Sequence, residues 1–504
     1  MLLLGIDLGT SSIKVSVLDA ATQQCIAAAQ YPETEMDIIS SQPGWAEQSP
    51  DGWWENVKQA ILKCNATRLY NPTDIGAVGI AYQMHGLVLV DKEQHVLRNS
   101  IIWCDSRAVD TGQEAFLHIG TEKCLTHLLN SPGNFTAAKL AWVKKNEPAL
   151  YEKIDKVMLP GDFIAMKLTG EITTTTAALS EGIFWDFQEN KISQDITGYF
   201  GFDLSMFPAT QPLFAAHGYL KEKVATRLSL QPGIPVSYKA GDQPNNALSL
   251  NVLKPGEVAA TAGTSGVIYG ISDQPEYDQQ SRINSFAHVN HRADKIRVGI
   301  LLCINGAGIF TRWMKNIIGA NRSYQELNDA AAKIAPGSNG LLALPFGNGA
   351  ERMLNNRIVG AHFQNLDFNI HTDIHMVRAV QEGIAFAFRY GLDIMRENGI
   401  DPSVIRAGKT NLFLSDVFTA SFVNATNVSV EFYNGDGSLG AAIGAGIGAG
   451  IFRDAAAAFN KRKPVGVVEP AQHPLYETLY GQWKELLNEK LEKIKNLNEL
   501  IPIA

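Results

Sequence analysis

The sequence predicts an α/β protein made of two related domains, and three observations lead to this fold class. The chain has 504 residues, enough for roughly two or three domains of ordinary size. Segments that alternate like strands are interspersed with helical patterns along the whole chain. A strand–turn–strand element around Gly-Thr-Ser at residues 9–11 recurs about half a chain later, at residues 263–265. A repeat at this spacing indicates that one domain has been duplicated.

Composition and charge place the chain among ordinary globular proteins. Apolar residues make up 45% and charged residues 19%, a balance that excludes a disordered chain and a fibrous repeat. The net charge of −8 argues against nucleic-acid binding through bulk electrostatics. The longest apolar run, residues 440–452, is shorter than the ~20 residues of a membrane span. With five scattered cysteines, we expect a cytoplasmic protein that binds neither nucleic acid nor a membrane.

Each Gly-Thr-Ser turn lies between two predicted strands. Residues 2–7 and 13–18 flank the first turn, and residues 258–262 and 267–271 flank the second. Because glycine has no side chain, such a turn lets backbone N–H groups and two hydroxyls approach an oxyanion. One turn alone is more typical of an ordinary hairpin. Two turns that face each other across a cleft would clamp the phosphates of a nucleotide.

Two aspartates are placed to act beside these turns. Asp7 precedes the first turn and would supply oxygen ligands to a hydrated Mg²⁺. Asp242 follows Gly241 and precedes the second turn. A carboxylate there would accept the proton of an attacking hydroxyl, the one base that phosphoryl transfer needs besides positioning and charge neutralisation. On spacing alone, the favoured alternative is that Asp242 caps a helix over residues 245–250.

Three further segments carry side chains suited to a polyol. A Gln-Met-His-Gly tetrapeptide interrupts a predicted hairpin, so that His85 would bond hydroxyl groups and Met84 would form a flexible apolar wall. Trp45 offers an aromatic face, and Asp105 and Arg107 follow another predicted strand. Each segment also has a purely structural interpretation. His85 would be a turn histidine, Trp45 would belong to a packed loop, and Asp105 with Arg107 would form a surface ion pair.

A glycine-rich segment favours a different class of function. Residues 435–440 read Gly-Asp-Gly-Ser-Leu-Gly between a predicted strand and a predicted helix, the context of a dinucleotide site. The acidic residue expected about 20 residues further on is not at that distance, since Glu469 lies farther along the chain. A dinucleotide-dependent enzyme therefore stays an alternative, which binding of NAD without binding of ATP would support.

Taken together, these motifs resemble those of the FGGY family of carbohydrate kinases over nearly the whole chain. Residues 5–11 with Lys14 resemble the family's first phosphate motif. Ala-Gly-Asp ending at Asp242 resembles its catalytic aspartate segment, and residues 263–266 resemble its second phosphate motif. Within the family, the xylulokinases are the most similar at residues 45–48, 83–86 and 103–107.

The resemblance implies both a fold and a reaction. The fold would be two RNase H-like domains of the actin/hexokinase/Hsp70 ATPase type around a central cleft, at residues 1–238 and 239–504. The reaction would be ATP-dependent phosphorylation of a ketose at its terminal hydroxyl, with D-xylulose converted to D-xylulose 5-phosphate. The implied cofactors are ATP and Mg²⁺, the partners are small molecules, and a homodimer is compatible with the sequence.

The same resemblance implies roles for individual residues. Asp242 would be the general base, and Asp7 and Asp242 would lie near Mg²⁺. The residues lining the sugar site would be Met84, His85, Asp105, Arg107 and Trp45. The residues holding the nucleotide would be Thr10, Ser11, Lys14, Gly263, Thr264, Ser265, Gly408 and Asn411.

Two segments depart from the family's pattern. Residues 349–354 read Gly-Ala-Glu-Arg-Met-Leu where Gly-Glu-Arg-Thr-Pro is usual. Residues 406–411 read Arg-Ala-Gly-Lys-Thr-Asn where a Gly-Gly-Gly-Ala stretch usually faces adenosine, so Lys409 puts bulk and charge there. Two alternatives follow. One is a kinase for another sugar or sugar acid, such as ribulose or gluconate, and the other is a non-catalytic sugar or nucleotide sensor.

Overall fold

Two large β-sheets form the framework of the computed structural model, which describes residues 1–318 and 321–500 apart from the side chains of 497–500. The strands of the first sheet are β1 (Leu2–Leu8), β2 (Ile13–Asp19), β3 (Gln24–Tyr31), β4 (Ile75–Tyr82) and β5 (Val236–Gly241). Those of the second sheet are β6 (Glu257–Ala262), β7 (Gly266–Ser272), β8 (Asn284–Ala287), β9 (Val298–Ile304), β10 (Val404–Gly408), β11 (Val430–Tyr433) and β12 (Gly466–Val468).

The two sheets repeat one topology. The first has the order β5-β4-β1-β2-β3, in which β1, β2 and β3 are antiparallel and β4 and β5 run parallel to β1. In the second, β6, β7 and β9 are antiparallel, and β10 and β11 run parallel to β6. β8 and β12 extend the second sheet at its edges. The predicted α/β class with a duplicated domain is therefore confirmed.

Helices cover the sheets and connect their strands. Three helices matter for the site, namely α1 (Asp242–Ser249), α2 (Gly308–Ile318) and α3 (Gly437–Gly448). The other α-helices are Pro50–Asn65, Val109–Ile119, Thr121–Leu128, Thr136–Asn146, Pro148–Tyr151, Pro160–Thr169, Thr176–Glu181, Gln194–Phe200, Glu222–Leu228, Tyr324–Ala331, Asp373–Glu397, Asp416–Thr426, Ala455–Phe459 and His473–Leu500. Within the described ranges, none of them is both long enough and apolar enough to cross a membrane.

Short elements complete the fold. Two-stranded ribbons and short strands occupy Glu47–Gln48, Val88–Val90, Ser100–Ile101, Lys156–Met158, Thr173–Thr174, Trp185–Asp186, Lys191–Ile192, Ala209–Thr210, Leu342–Phe346 and Gly360–Gln364. Short 3-10 helices occupy Pro72–Asp74, Leu204–Met206, Ser338–Gly340, Arg352–Leu354 and Asn411–Leu414. The strand predicted at residues 101–104 is shorter than expected, because the chain turns at Trp103 and Cys104.

Helix α3 follows the second sheet in the sequence but packs on the first sheet. Glycines in the strands make the close approach feasible, since a Cβ at Gly5 would lie 1.8 Å from the Ser438 carbonyl oxygen. A Cβ at Gly79 would likewise lie 2.0 Å from the Ala441 carbonyl oxygen. Backbone therefore contacts backbone, which any larger side chain would prevent. The start of α3 is thereby brought against the edge of the first sheet.

The predicted division between residues 238 and 239 falls inside a strand. β5 pairs with β4 throughout its length, so residues 239–241 lie in the first sheet. The chain then crosses to the second sheet through α1, returns at residues 434–436 into α3, and crosses again before β12. The limits 1–238 and 239–504 stay a prediction.

Candidate active site

The predicted motifs follow parallel strands whose carboxyl ends lie at one edge of each sheet. In the first sheet, β1, β4 and β5 are followed by the first Gly-Thr-Ser turn, the Gln-Met-His-Gly segment and Asp242. In the second, β6, β10 and β11 are followed by the second turn, residues 409–411 and residues 434–436. Such edges are where ligands bind in open α/β sheets. The start of α3 joins the two edges.

Asp7 lies where the first sheet meets α3. It is half-buried in β1 and pairs with Lys14 of β2. A Cβ at Gly437 would lie 2.5 Å from the Asp7 Oδ2 atom, so the carboxylate contacts the first turn of the helix. Burial raises the pKa of Asp7 to about 6 against the opposing Lys14 ammonium, and Asp436 adds to the rise. The carboxylate is therefore poorly compensated by the protein alone.

Asp242 is the first residue of α1 rather than its cap. Gly241 occupies the N-cap position and no side chain caps the helix, so the alternative that Asp242 is a helix cap is wrong. Burial first, and the charge of Asp7 second, raise the pKa of Asp242 to about 7. Two neighbouring carboxylates whose pKa values are both raised suit a divalent cation, which would stabilise both negative charges.

The first turn is fixed by a network of side chains. The Thr10 hydroxyl donates to Gln83 Oε1 at 3.1 Å and accepts from Trp103 Nε1 at 2.9 Å. Gln48 Nε2 donates to the Thr10 carbonyl oxygen at 2.8 Å, and Gln83 Nε2 donates to Gln48 Oε1 at 2.9 Å. The Thr10 hydroxyl thus holds the turn in place. The Gly9 N–H donates to the Ser12 carbonyl oxygen at 3.1 Å, so the exposed Ser11 and the N–H groups of Thr10 and Ser11 remain for an oxyanion.

The second turn is fixed by the start of α2. The N–H of Gly308 donates to the Gly263 carbonyl oxygen, and the N–H of Ile309 donates to that of Thr264, both at 3.0 Å. Thr264 and Ser265 are exposed, and their hydroxyls have no hydrogen-bond partner among the residues that the structure describes. The turn is thus held through its carbonyl oxygens, and its donors face outward.

Glu351 holds the loop that leads into α2. It is fully buried, and its two oxygens accept from the N–H groups of Asn305 at 3.0 Å and Gly306 at 3.2 Å. Burial raises the pKa of Glu351 to about 7, although these two donors oppose the rise. Sequence reasoning noticed this residue only as part of a segment that departs from the family pattern. Its spatial role depends on contacts with residues some 45 positions earlier.

A cavity of about 400 Å³ lies beside the second turn. Its lining includes Gly263, Thr264, Gly308, Ile309, Arg312, Tyr324, Asn328, Asn411, Leu412 and Ser415. Asn411 therefore lines a cavity beside the second turn, whereas Gly408 does not. Nucleotide binding by these residues stays a prediction. Lys409 does not line the cavity either, because its Nζ atom lies over the Phe432 ring, 4.7 Å from the centroid. The predicted obstruction by Lys409 is wrong for this cavity.

Met84 lies against Gly241, the residue before Asp242, and His85 follows Met84 in the chain. A Cβ at Gly241 would lie 2.6 Å from Met84 Cγ and 2.6 Å from Glu181 Oε2. His85 has a left-handed backbone with φ of 63°, and its N–H donates to Glu181 Oε1 at 3.2 Å. Burial, and to a smaller degree the Lys139 ammonium, lower the pKa of His85 to about 3. The ring is therefore neutral at physiological pH.

Both halves of the chain contribute to the surroundings of His85. Its ring centroid lies 4.8 Å from that of Phe135 and 5.3 Å from that of Phe286, which belongs to β8 of the second sheet. The Arg352 guanidinium lies 5.9 Å from the Phe135 centroid. A ligand beside His85 would therefore contact both sheets.

Trp45, Asp105 and Arg107 form a cluster of their own. The Arg107 guanidinium lies over the Trp45 ring, 3.7 Å from the centroid. It pairs with Asp105 at 2.7 Å and with Glu47 at 2.7 Å. The alternative of a surface ion pair is wrong, because the side chains of Asp105 and Arg107 are both buried. Contact of this cluster with a sugar stays a prediction.

The glycines of residues 435–440 have packing functions in this fold. Gly437 contacts Asp7, and a Cβ at Gly440 would lie 2.8 Å from Ser249 Cβ and 3.0 Å from the Asn245 carbonyl oxygen. Asp436 caps α3 through the Leu439 N–H at 3.2 Å. Sequence analysis considered this motif only as an alternative dinucleotide site. It missed Glu181, Lys139, Phe286 and Asp436 as neighbours of the predicted site residues.

The fold and the site define a class of protein. The two sheets share one topology, and each carries a Gly-Thr-Ser turn. They meet at a pair of carboxylates. This arrangement is that of kinases that bind a nucleotide between duplicated α/β domains. Comparison with known proteins specifies the family. The family model described as "FGGY family of carbohydrate kinases, N-terminal domain" matches residues 2–249. The chain belongs to the FGGY family of carbohydrate kinases.

Individual relatives agree with this assignment. The chain is 28% identical to the xylulose kinase of Bacillus subtilis, covering 96% of this chain and 97% of that protein. The crystal structure of a xyloylose kinase from Brucella ovis has a TM-score of 0.85 and 26% identity, covering 96% and 98% of the two chains. A gluconate kinase from Lactobacillus acidophilus has a TM-score of 0.87 at 22% identity, covering 97% and 98%. The last similarity supports the fold alone.

Proposed function

We propose that this chain acts as a xylulokinase, which transfers the γ-phosphoryl group of ATP to the terminal hydroxyl of D-xylulose. The products are ADP and D-xylulose 5-phosphate. The observation that carries the proposal is the half-buried Asp242, whose pKa of about 7 suits a general base at physiological pH. It lies beside Asp7 and at the edge that carries the phosphate-binding turn. Relatives named as xylulose kinases support the choice of sugar.

The reaction requires a base and an oriented acceptor. The carboxylate of Asp242 accepts the proton of the terminal hydroxyl as its oxygen forms a bond to the γ-phosphorus. The bond from that phosphorus to the oxygen bridging to the β-phosphate breaks, and ADP leaves with the electron pair. A general base of this kind contributes roughly 10²–10⁴-fold to the rate. Met84, which lies against Gly241, and the adjacent His85 would orient the sugar.

The nucleotide would lie between the two Gly-Thr-Ser turns. Backbone N–H groups, Ser11, Thr264 and Ser265 would donate to phosphate oxygens, and Lys14 would add a positive charge. The adenosine would occupy the cavity of about 400 Å³ lined by Asn411. Gly408 would contribute only through the backbone that leads to this cavity. Thr10 would contribute by fixing the first turn.

Asp7 and Asp242 fit a divalent cation. Both are half-buried carboxylates with raised pKa values, and oxygen donors of this kind are what Mg²⁺ prefers. Mg²⁺ held there would neutralise charge on the transferring phosphate. The protein's own contribution is to keep both carboxylates at the edge of the first sheet, with α3 behind them.

A coupled assay of ADP release with Mg-ATP tests this function. The acceptors are D-xylulose, D-ribulose, L-ribulose, L-fuculose, gluconate and glycerol, and Asp242→Asn is the control. Turnover that is fastest with D-xylulose and collapses in the variant supports the proposal. Fastest turnover with gluconate or a ribulose supports a kinase for that acceptor instead. Sugar binding without ADP release from any acceptor supports a sensor.

Two further properties stay predictions. A cytoplasmic location is consistent with the scattered cysteines. A homodimer is tested by light scattering of the purified protein, with and without ATP.

A further inference from the structure

His85 is held by two buried ionisable side chains, those of Glu181 and Lys139. Its φ of 63° is uncommon outside glycine and asparagine, so its conformation needs support. Its N–H donates to Glu181 Oε1 at 3.2 Å, and its carbonyl oxygen accepts from Lys139 Nζ at 3.0 Å. Lys139 also donates to the Ile102 carbonyl oxygen at 3.0 Å. Both polar groups of the His85 backbone are thereby fixed.

The same neighbours fix the ring. Nδ1 lies 2.9 Å from the carbonyl oxygen of Glu181. A carbonyl oxygen only accepts, so Nδ1 carries the hydrogen. The ionisable groups that face the ring are Glu181, Lys139 and Arg352. Burial, and to a smaller degree Lys139 and Arg352, lower the pKa of the ring and keep it neutral. Burial also raises the pKa of the Glu181 carboxyl and lowers that of Lys139 to about 7. In a neutral ring with hydrogen on Nδ1, Nε2 is an acceptor.

Nε2 is free to meet a ligand. It has no hydrogen-bond partner among the residues that the structure describes. It is also not among the polar side-chain atoms that are both fully buried and unpartnered. The ring itself is half-buried, between Phe135 and Phe286. Nε2 is therefore the ring nitrogen that remains for a ligand.

We propose that Glu181 and Lys139 are positioning residues that fix His85 as a hydrogen-bond acceptor, so that the sugar site selects a ketose hydroxyl that donates to Nε2. This inference rests on the proposed function and deepens it. A hydroxyl at that point donates its hydrogen. A carbonyl or carboxylate oxygen there would face the lone pair of Nε2, which disfavours a sugar acid bound in that orientation.

Substituted sugars test which way the hydrogen bond runs. Each hydroxyl of D-xylulose other than the reacting one is replaced in turn by hydrogen or fluorine, neither of which donates. We expect one position at which both replacements lower kcat/KM by roughly ten- to a hundredfold. That loss should largely disappear in His85→Ala, as coupling between partners requires. A fluorinated sugar that keeps the activity of D-xylulose at that position, or no coupled position, overturns the proposal.

Nuclear magnetic resonance of ¹⁵N-histidine-labelled protein tests the tautomer directly. We expect a protonated Nδ1 and an unprotonated Nε2 for His85 between pH 5 and 8, with the signals assigned by His85→Asn. A hydrogen on Nε2, or protonation of the ring in this range, overturns the proposal. This readout does not depend on turnover. It therefore separates failure of the inference from failure of the proposed function.

Variants of Glu181 test the positioning role. Glu181→Gln keeps an acceptor for the His85 N–H and should retain KM for D-xylulose within a few-fold. Glu181→Ala should raise that KM roughly tenfold or more, while KM for ATP stays the same. Glu382→Ala, which removes an equally buried carboxyl elsewhere, is the matched control. If the control changes KM for D-xylulose as much as Glu181→Ala does, or if Gln fails to rescue, the positioning role is wrong.

Discussion

At the scale of single residues, Asp242 combines two opposing demands. Burial beside Asp7 raises its pKa to about 7, which suits proton transfer but disfavours the charged form in the folded protein. The environment of Asp242 therefore favours activity and reduces the stability of the folded protein, a combination that is common at active sites.

The first prediction concerns the activity and stability of Asp242→Asn. We expect kcat to fall by roughly 10²–10⁴-fold because the base is lost. At pH 8 without Mg²⁺, the variant should be more stable than the wild type by about 1–3 kcal/mol, since no buried charge has to form. Coupled ADP release and urea unfolding measure the two effects. An inactive variant that is also less stable at pH 8 would contradict this account.

The second prediction follows from the direction of the same pKa shift. The folded-state pKa of Asp242 lies above its ordinary value of 3.8, so the folded protein binds a proton that the unfolded chain releases. The free energy of unfolding should therefore fall as pH rises from about 4 through about 7. In Asp242→Asn the free energy of unfolding should fall less steeply over this pH range, and Asp7 should account for part of the remaining fall. Urea unfolding of the metal-free protein at several pH values measures it.

The third prediction concerns the nucleotide cavity. Lys409→Gly should leave KM for ATP within about twofold, because the ammonium lies over Phe432 outside the cavity. Asn411→Ala should raise that KM several-fold, since Asn411 lines the cavity and a lost hydrogen bond costs about 0.5–1.5 kcal/mol. Initial rates at varied ATP measure both. A large effect of Lys409→Gly would mean that the ammonium contacts the nucleotide after all.

At the scale of elements, contact between α3 and the first sheet decides where the two carboxylates lie. Glycines on both sides allow backbone to touch backbone, so the helix start reaches Asp7. The hairpins around the two turns were predictable, because each depends on local periodicity. The cap role of Asp242 was not predicted correctly, since helix α1 begins three residues earlier than its pattern indicates.

The fourth prediction tests this contact. Gly79→Ala should destabilise the protein by about 1–3 kcal/mol, because its Cβ would meet the Ala441 carbonyl oxygen at 2.0 Å. Gly198→Ala is the matched control, with nothing within 4 Å of its Cβ in the helix Gln194–Phe200. It should be neutral or stabilising by up to about 1 kcal/mol. Equal destabilisation by the two changes, measured in urea, would argue against the close packing.

At the scale of the whole molecule, the site is divided between the two sheets. Phe286 and Arg352 come from the second half of the chain, and Met84 and His85 from the first. A sugar held between them would draw the halves together and exclude water, which limits wasteful hydrolysis of ATP.

The fifth prediction is that D-xylulose makes the protein more compact. Small-angle X-ray scattering should give a smaller radius of gyration with D-xylulose than without it. Asp242→Asn, which keeps the sugar-binding side chains, should respond in the same way. An unchanged radius in the presence of saturating sugar would mean that the site is already closed.

The sequence by itself determined the duplicated α/β class, the two turns and the two aspartates, because local patterns and motif types specify them. Tertiary structure alone decided which residues surround them. Glu181 and Lys139 reach His85 from positions 96 and 54 residues away, and Arg107 turns to Asp105 and Trp45. Hydrogen bonding and burial depend on distances in space, and the spacing of residues along a chain does not encode them.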